Sequence, residues 1–365
     1  MLLIGSVQGR RTALLRAALD AVGARLAVIE WRQLLTDDDS VEPQLRAAHA
    51  AGHVWCKIDP SGEDPGVTNA LIERGWRLSG SDAPAPTPLR HGELAFQHWW
   101  FAGFADVLTR LSQSLGPLRS MNAAPDILAM CDKLACQRRL IERGVPVPHL
   151  IGEICTLGDL DERWPARQFP AVFFKARFGS SAAGVVALRR HPDGRIVAYT
   201  SARIDAEGRV YNHLKISRYT DRETIALLLE KLGAQGAYAE RWAAKPRVPT
   251  DRTACYDLRV VAACGTARQR IARISRSPMT NLHLGNRRAS PDWLTESQVT
   301  ALEQITARAA GAFENSRCIG LDLSLRDGAA CVLEANAFGD LLPGLRYRSS
   351  TTYDDQASWV SADEH

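Results

Sequence analysis

Gly320-Leu-Asp322-Leu-Ser-Leu-Arg-Asp-Gly-Ala-Ala-Cys331-Val-Leu-Glu334-Ala-Asn336-Ala-Phe-Gly339-Asp340 reads as two strands joined by a polar turn at Arg326-Asp327-Gly328. Leu321, Leu323 and Leu325 alternate with other residues, the pattern of a strand with one buried face. Val332 and Leu333 continue the apolar run on the return, and Asp-Gly between two such runs marks a hairpin. Glu334 and Asn336 lie two apart and so face the same way on a strand. Asp322 can join them across the hairpin. Three hard oxygen donors on one sheet face suit Mg²⁺ and leave room for water and phosphate. A polar rim at a hairpin end would carry the same residues, so the rest of the chain decides between the two.

A chain of 365 residues is long enough for two or three structural units with more than one core. Its 45% hydrophobic and 24% charged residues are ordinary for a globular protein. A formal net charge of +4 is too mild to argue for nucleic acid, and the local clustering of arginines points to an anionic small molecule. Met-Leu-Leu-Ile-Gly-Ser-Val-Gln-Gly-Arg lacks the basic start and long apolar core of a secretion signal, and no apolar run is long enough to span a membrane. The eight cysteines form no CxxC pair, and Cys131 and Cys136 have no matching partners for zinc. They are expected as small buried hydrophobes in a reducing cytoplasm.

The chain begins with alternating elements: strands at 2–7, 25–30 and 53–58, and helices at 11–22 and 66–74. Such alternation implies a parallel sheet with helices on its faces. A proline-stiffened linker, Asp82-Ala-Pro-Ala-Pro-Thr-Pro-Leu, precedes a long helical pattern over 91–115 whose aromatics suit core packing. Asn122-Ala-Ala-Pro125 starts a helix, a second runs from Asp132 to Gly144, and Val-Pro-Val-Pro148 connects to a strand-rich unit. There 170–175, 184–188, 196–199 and 213–217 read as strands and 221–232 as a helix. The expected units are 1–120, a helical connector over 121–149, a small lid unit over 150–238, a larger unit over 239–348, and a flexible tail over 349–365.

Phe169-Pro-Ala-Val-Phe-Phe-Lys175 is an apolar strand ending in a lysine, followed by Ala-Arg-Phe-Gly179-Ser180-Ser181-Ala-Ala-Gly. A Gly/Ser loop after a strand lets backbone N–H groups approach phosphate oxygens, and Lys175 can neutralise their charge. It is not a P-loop, because a strand rather than a helix follows it. Lys133 offers a second cation at a helix junction. Glu240, at the end of the strand in Ala237-Tyr-Ala-Glu240-Arg-Trp242-Ala243, could read an adenine amino group beside an edge carbonyl. Asp257-Leu-Arg259 resumes a strand. Between 268 and 275, Arg268 and Arg270 share one face and Arg273 takes the other, so these arginines cannot all converge.

Taken in order, Asp132-Lys133, Lys175 before Gly-Ser-Ser, Glu240-Arg-Trp242, Asp257-Leu-Arg259 and Asp322…Glu334-Ala-Asn336 resemble the ATP-grasp superfamily of carboxylate–amine ligases, with the glutathione-synthetase-like members nearest. The resemblance spans 122–344. It implies a mixed α/β and α+β architecture: an ATP-grasp fold behind an N-terminal Rossmann-like parallel-sheet domain. It implies that Lys133 and Lys175 contact ATP phosphates and that Gly179, Ser180 and Ser181 cover them. Glu240 would meet adenine, with Trp242 and Ala243 beside it. Asp322, Glu334 and Asn336 would hold two Mg²⁺ ions, Mn²⁺ being the alternative metal. Arg259 and Arg273 would stabilise the transferred phosphoryl group or bind the acceptor carboxylate. Lys245-Pro-Arg247-Val-Pro stands where such enzymes place a ribose-binding acid, which leaves Asp251 or Asp257 for that contact. Asn281, His283, Asn286 and Arg287, in the polar segment after Arg276, are the expected substrate contacts. The implied partners are a small-molecule or peptide carboxylate and an amine, in a homodimer, with no nucleic acid and no membrane. Two rival readings share these motifs: a kinase that phosphorylates a hydroxyl, and a non-catalytic nucleotide sensor.

Overall fold

The computed structural model describes residues 1–35, 41–62, 64–165, 167–179, 182–280, 282, 285–326, 328–339 and 341–362. Ser180, Ser181, Asn281 and His283 therefore lie outside the described residues, as does the turn residue Asp327. Three sheets follow one another along the chain. The first unit runs β1 (Leu2–Gly5), α1 (Arg10–Ala21), β2 (Ala27–Glu30), α2 (Trp31–Leu34), α3 (Val41–Ala50), β3 (Trp55–Ile58), α4 (Pro65–Ser79), α5 (Gln97–Ser114) and β4 (Arg119–Ser120). Its four strands are all parallel, in the order β2-β1-β3-β4. Both faces are covered: Leu2 and Ile4 enter a core shared with α4 and α5, while Met1 and Leu3 meet α1. Helices α4 and α5 cross at two glycines. A Cβ on Gly75 would lie 1.8 Å from the Trp99 carbonyl oxygen, and one on Gly103 would lie 2.1 Å from that of Leu71.

The expected helix over 91–115 begins only at Gln97. Gly92 and Phe96 take left-handed φ values of 77° and 58°, which no helix continues through. Residues 92–94 instead pair like a strand with the second sheet: the Leu94 amide donates to Val210 O at 2.7 Å and the Asn212 amide to Gly92 O at 2.8 Å. The aromatics of α5 do pack as a core, with Phe104 fully buried and stacked on Trp100.

Helices α6 (Ala124–Cys131) and α7 (Lys133–Glu142) form the connector. The second unit holds β5 (Leu150–Glu153), α8 (Leu157–Arg163), β6 (Ala171–Ala176), β7 (Val185–Arg190), β8 (Ile196–Ile204), β9 (Val210–Tyr219), α9 (Arg222–Gly233) and β10 (Ala237–Arg241). Its antiparallel sheet is ordered β5-β10-β6-β7-β8-β9, with α8 and α9 packed on one face. The third unit holds β11 (Arg247–Val248), β12 (Asp251–Ala263), β13 (Thr266–Ser275), β14 (Arg287–Ala289), α10 (Glu296–Gly311), β15 (Cys318–Arg326) and β16 (Ala329–Asn336). Its main sheet is ordered β14-β13-β12-β15-β16, and Leu302, Ile305 and Ala309 of α10 cover one face.

The tail is a correction to the sequence reading. Residues 352–362 form a helix, α11 (Thr352–Ala362), that packs on α1. Tyr353, Ala357 and Val360 are buried with Leu341, Leu342 and Leu15. The Thr352 hydroxyl donates to Leu341 O at 2.9 Å, so α11 holds the segment that leaves β16. The cysteines also depart in part: Cys155 and Cys264 are exposed, and all eight are free thiols. Among the described residues no helix is long and apolar enough to cross a membrane. Deleting residues 351–365 should lower the thermal unfolding midpoint by several degrees, because it uncovers Leu341, Leu342 and Leu15. An unchanged midpoint would show that α11 is not part of the fold.

Candidate active site

Strand pairing builds the floor of the site. In the antiparallel third sheet Asp257 sits opposite Arg273, Arg259 opposite Asp322, Asp322 opposite Glu334, and Gly320 opposite Asn336. Directly opposed residues point to the same side, so these six side chains share one face. The intervening Leu258, Leu321 and Leu323 enter the core on the other face. The register between β15 and β16 shifts after Asp322, leaving Leu333 in a bulge. Its carbonyl accepts from Gln137 of α7 at 3.0 Å, and its side chain lines the cleft.

Charges on this floor are paired in a web. Arg273 donates to Asp257 from Nε at 2.8 Å and from Nη2 at 2.9 Å, and its Nη2 also lies 2.9 Å from Asp322 Oδ2. Arg259 Nε is 2.7 Å from Asp322 Oδ1, close in charge but out of line as a hydrogen bond. Lys245 reaches Asp257 at 2.9 Å and the Thr280 hydroxyl at 2.5 Å, and Thr280 in turn donates to Asp257. Two glycines make room for Arg259. A Cβ on Gly320 would stand 2.7 Å from its Nη1, and one on Gly339 would stand 2.1 Å from the same atom.

The lid sheet and the connector supply the opposite wall. Asp132 caps α7 by accepting from the Leu134 and Ala135 amides at 3.1 and 3.2 Å, which sets Lys133 at the first turn facing the floor. Lys133 pairs with Glu334. On the lid, Lys175 of β6 pairs with Glu240 of β10 at 2.5 Å, between the Phe173 and Tyr238 rings. Arg177, just past β6, ties the two parts together. Its guanidinium donates to both Asp132 oxygens, at 3.1 and 2.5 Å, and its carbonyl accepts from the Lys133 amide at 2.9 Å. Phe178 stacks on Phe101 of α5 at 4.4 Å. The cleft opens to solvent on one side and is lined by five cations (Lys133, Lys175, Lys245, Arg259, Arg273) against four carboxylates (Glu240, Asp257, Asp322, Glu334).

Burial and pairing shift the titrations in different directions. Burial would raise the Glu334 carboxyl, but Lys133 outweighs it and holds the group below its ordinary value. Burial would likewise lower Lys133, and Glu334 reverses this. Burial opposes ionisation of Asp257, yet Lys245 and Arg273 keep it far below the usual carboxylate range. Glu240 goes the other way: burial raises it, and Lys175 offsets this only in part. Its Oε2, Asp322 Oδ1 and the Asn336 amide are buried without hydrogen-bond partners.

No family model and no curated protein matches the sequence. Solved structures match over the whole chain. D-cycloserine synthetase DcsG is 13% identical with a TM-score of 0.57, over 100% of this chain and 99% of that one. The ATP-grasp ligase PsnB, complexed with a minimal precursor, is 15% identical with a TM-score of 0.55, over 99% and 98%. D-alanine–D-alanine ligase from Bacillus anthracis is 10% identical with a TM-score of 0.52, over 100% and 98%. The chain has the ATP-grasp fold.

In ATP-grasp terms, the cleft between the lid sheet and the third sheet gathers Lys133, Lys175, Glu240, Ala243, Asp257, Arg259, Arg273, Asp322, Glu334 and Asn336. Trp242 stands outside the lining, with its ring against Phe173 at 5.2 Å and under Arg189 at 5.5 Å. Gly179 is buried against the Ala183 carbonyl rather than in the lining. Asp251 pairs with Arg276 at 3.1 Å away from the lining, and Asp257 already takes Arg273, Lys245 and Thr280, so neither offers a free acceptor for ribose. Asn286 donates to Met279 O at 2.8 Å and steadies the cleft wall without lining it. Arg287 is opposite Ile274, on the buried-core face and exposed at the sheet edge, whereas Arg288 is opposite Arg273. The sequence reading gave no site role to Lys245, Phe173 or Leu333, and held Met279 and Thr280 only as part of the polar segment after Arg276 without singling them out. Phe173, two residues before Lys175, was accessible to the same period-two argument.

Asp257→Asn should cost about 3 kcal/mol at neutral pH, because Arg273 and Lys245 lose a buried anion. The wild-type contribution is present above the unfolded carboxylate pKa of about 4 and is lost as pH falls through the lower folded value. Urea unfolding across acidic pH should therefore show a shallower acid decline in the variant. An equal slope in both proteins would remove Asp257 from this role.

Proposed function

We propose that this protein is an ATP-dependent carboxylate–amine ligase that forms an amide or peptide bond through an acyl phosphate, releasing ADP and phosphate. The observation that carries the reading is the pair of acid–lysine contacts lining the cleft, Lys133–Glu334 between connector and floor and Lys175–Glu240 within the lid sheet, beside buried acceptor atoms that lack hydrogen-bond partners. Each lysine is held by an acid that a ligand can replace. A triphosphate would draw Lys133 and Lys175 away, leaving Glu334 to a metal and Glu240 to the amino group of a base. Two of the neighbours by fold, PsnB and D-alanine–D-alanine ligase, are ligases by name, and PsnB was solved with a precursor.

Asp322, Glu334 and the side-chain oxygen of Asn336 fit Mg²⁺ by donor type, and Asp322 Oδ1 has no hydrogen-bond partner. Among the described residues no cluster of three His, Cys, Asp or Glu stands ready for a bare ion. Both carboxylates are already neutralised by Lys133, Arg259 and Arg273. The metal is thus expected together with the nucleotide rather than before it. Bound there, Mg²⁺ would neutralise phosphate charge during transfer.

The chain's own groups account for the rest. A carboxylate and a triphosphate repel, and Arg259, Arg273 and Lys175 offset that repulsion while fixing their approach. Arg259 lies above Gly320 and Gly339, where its unpartnered Nη1 can donate to a developing oxyanion. Closure of the lid would exclude water from a hydrolysable acyl phosphate. Soluble residence in the cytoplasm and a homodimer belong to the same reading.

The test is incubation with Mg²⁺, ATP and pooled amino acids and peptides, read by mass spectrometry. A ligase gives condensed product with ADP and phosphate in equal amounts, whereas phosphorylated product with ADP alone would make it a kinase. Glu334→Gln should cut turnover by about 10²-fold or more with the fold retained. Wild-type turnover in that variant would overturn the metal assignment. Gly339→Ala sets a Cβ 2.1 Å from Arg259 Nη1 and 3.0 Å from Asn336 Cβ, so Arg259 must shift on Asp322; turnover should fall by about 10²-fold, with a stability loss of about 1–3 kcal/mol. Calorimetry should also show Mg²⁺ binding weakly alone and tightly with ATP. Tight binding of the bare ion would contradict the neutralised-acid argument.

A further inference from the structure

The lid sheet ends in an edge strand that the cleft chemistry does not use. β9 is last in the sheet, and only its first part is covered, by residues 92–94 through the Leu94–Val210 and Asn212–Gly92 bonds. Among the described residues nothing pairs with its outer side beyond Asn212. Its inner pairing is also broken there. Asn212 is opposite Ala202 and Ser217 opposite Thr200, so His213, Leu214, Lys215 and Ile216 bow outward facing Ser201 alone. Leu214 is 75% exposed, the most exposed large apolar side chain described.

One face of the sheet ties this edge to the cleft wall through buried apolar packing. Phe173 is opposite Ala187, Ala187 opposite Tyr199, and Tyr199 opposite Arg218, a single cross-strand row from the cleft wall to the edge. Tyr199 and Ile216 pack in the same apolar cluster as Phe173 and Met279, which line the cleft. Arg203, four residues beyond Tyr199, shares its face. Arg203, Lys215 and Arg218 are exposed, and no described ion pair engages them, whereas the neighbouring Arg195 and Arg209 are paired within their own turns.

We propose that an extended acidic peptide docks on the open half of β9, pairing with the strand and setting carboxylates against Arg203 and Arg218 on the Tyr199 face and against Lys215 on the other. The proposal rests on the ligase reading and names its carboxylate substrate as part of a peptide. An open strand edge offers alternating N–H and C=O groups that an extended peptide matches, and the cations select acidic side chains. A second copy of this chain fits poorly, since two-fold pairing of β9 would set Lys215 and Arg218 near their own equivalents. Nucleic acid would match the charge but not the backbone groups.

Fluorescence anisotropy on the full chain tests this without nucleotide, so it is independent of turnover. The probes are a labelled peptide of alternating Glu and Thr, its Lys–Thr counterpart, and a single-stranded oligothymidylate. The Glu–Thr peptide should bind and the Lys–Thr peptide should not. The double variant Lys215→Glu, Arg218→Glu should weaken binding by about tenfold or more, while Lys215→Arg with Arg218→Lys should preserve it. Leu214→Pro should also weaken it with no change of charge, and because Leu214 lies outside the ladder its unfolding midpoint should match wild type. Absence of Glu–Thr binding, equal binding by the charge-reversed protein, or equal or tighter binding of oligothymidylate would each overturn the proposal. Peptide binding without ADP release in the ligase assay would instead count against the ligase reading while leaving the docking edge standing.

Discussion

The site depends on one electrostatic compensation: Asp257, Arg273, Asp322 and Arg259 hold one another on the inner face of a sheet whose other face is core. None of the four exceeds 8% exposure. Charges buried this far from water persist only when each finds an opposite partner in good geometry. Strand register provides that geometry, because β12 is paired on both sides and sets acid against base at each step. The two glycines then leave the space in which Arg259 can lie flat. Sheet pairing, side-chain size and charge balance are thus a single constraint, and the cleft chemistry is built on top of it.

The second dependency is the join between lid and floor. Lys175 rides on the lid sheet and Lys133 on the connector, yet both must face one cleft. Arg177 makes this so by binding the cap of Lys133's own helix from the end of Lys175's own strand. A bidentate arginine–carboxylate contact fixes direction as well as distance. Phe178 against Phe101 extends the join to the first unit.

Much of this was legible in the sequence, where local pattern and local chemistry coincide. The Asp322–Asn336 hairpin follows from alternation and an Asp-Gly turn, and strand periodicity put Glu334 and Asn336 on one side. Lys133, Lys175 and Glu240 were readable as ends of elements. What sequence could not reveal lies in tertiary approach. Lys245 matters because it reaches Asp257 across twelve residues and Thr280 across thirty-five, distances no local rule addresses. Arg287 was misplaced because one residue of register decides which face an arginine takes. The long helix was overextended because a left-handed Phe96 leaves no mark in the hydrophobic pattern. α11 looked like a polar tail because its few apolar residues are spread among Asp, Gln and Ser, and only contact with α1 shows which side is buried.

The lysine–acid contact on the lid carries a further consequence. Glu240 is a carboxyl already biased toward its neutral form by burial, and Lys175 is its main reason to stay charged. Any anionic ligand that attracts Lys175 withdraws that support. The proton affinity of Glu240 then climbs further, so ligand capture on this lid would be accompanied by proton uptake from solution. The heat of such binding would follow the ionisation enthalpy of the buffer, and the apparent affinity would soften as the medium becomes more alkaline. A single buried acid would thus make occupancy of the cleft a proton-coupled equilibrium.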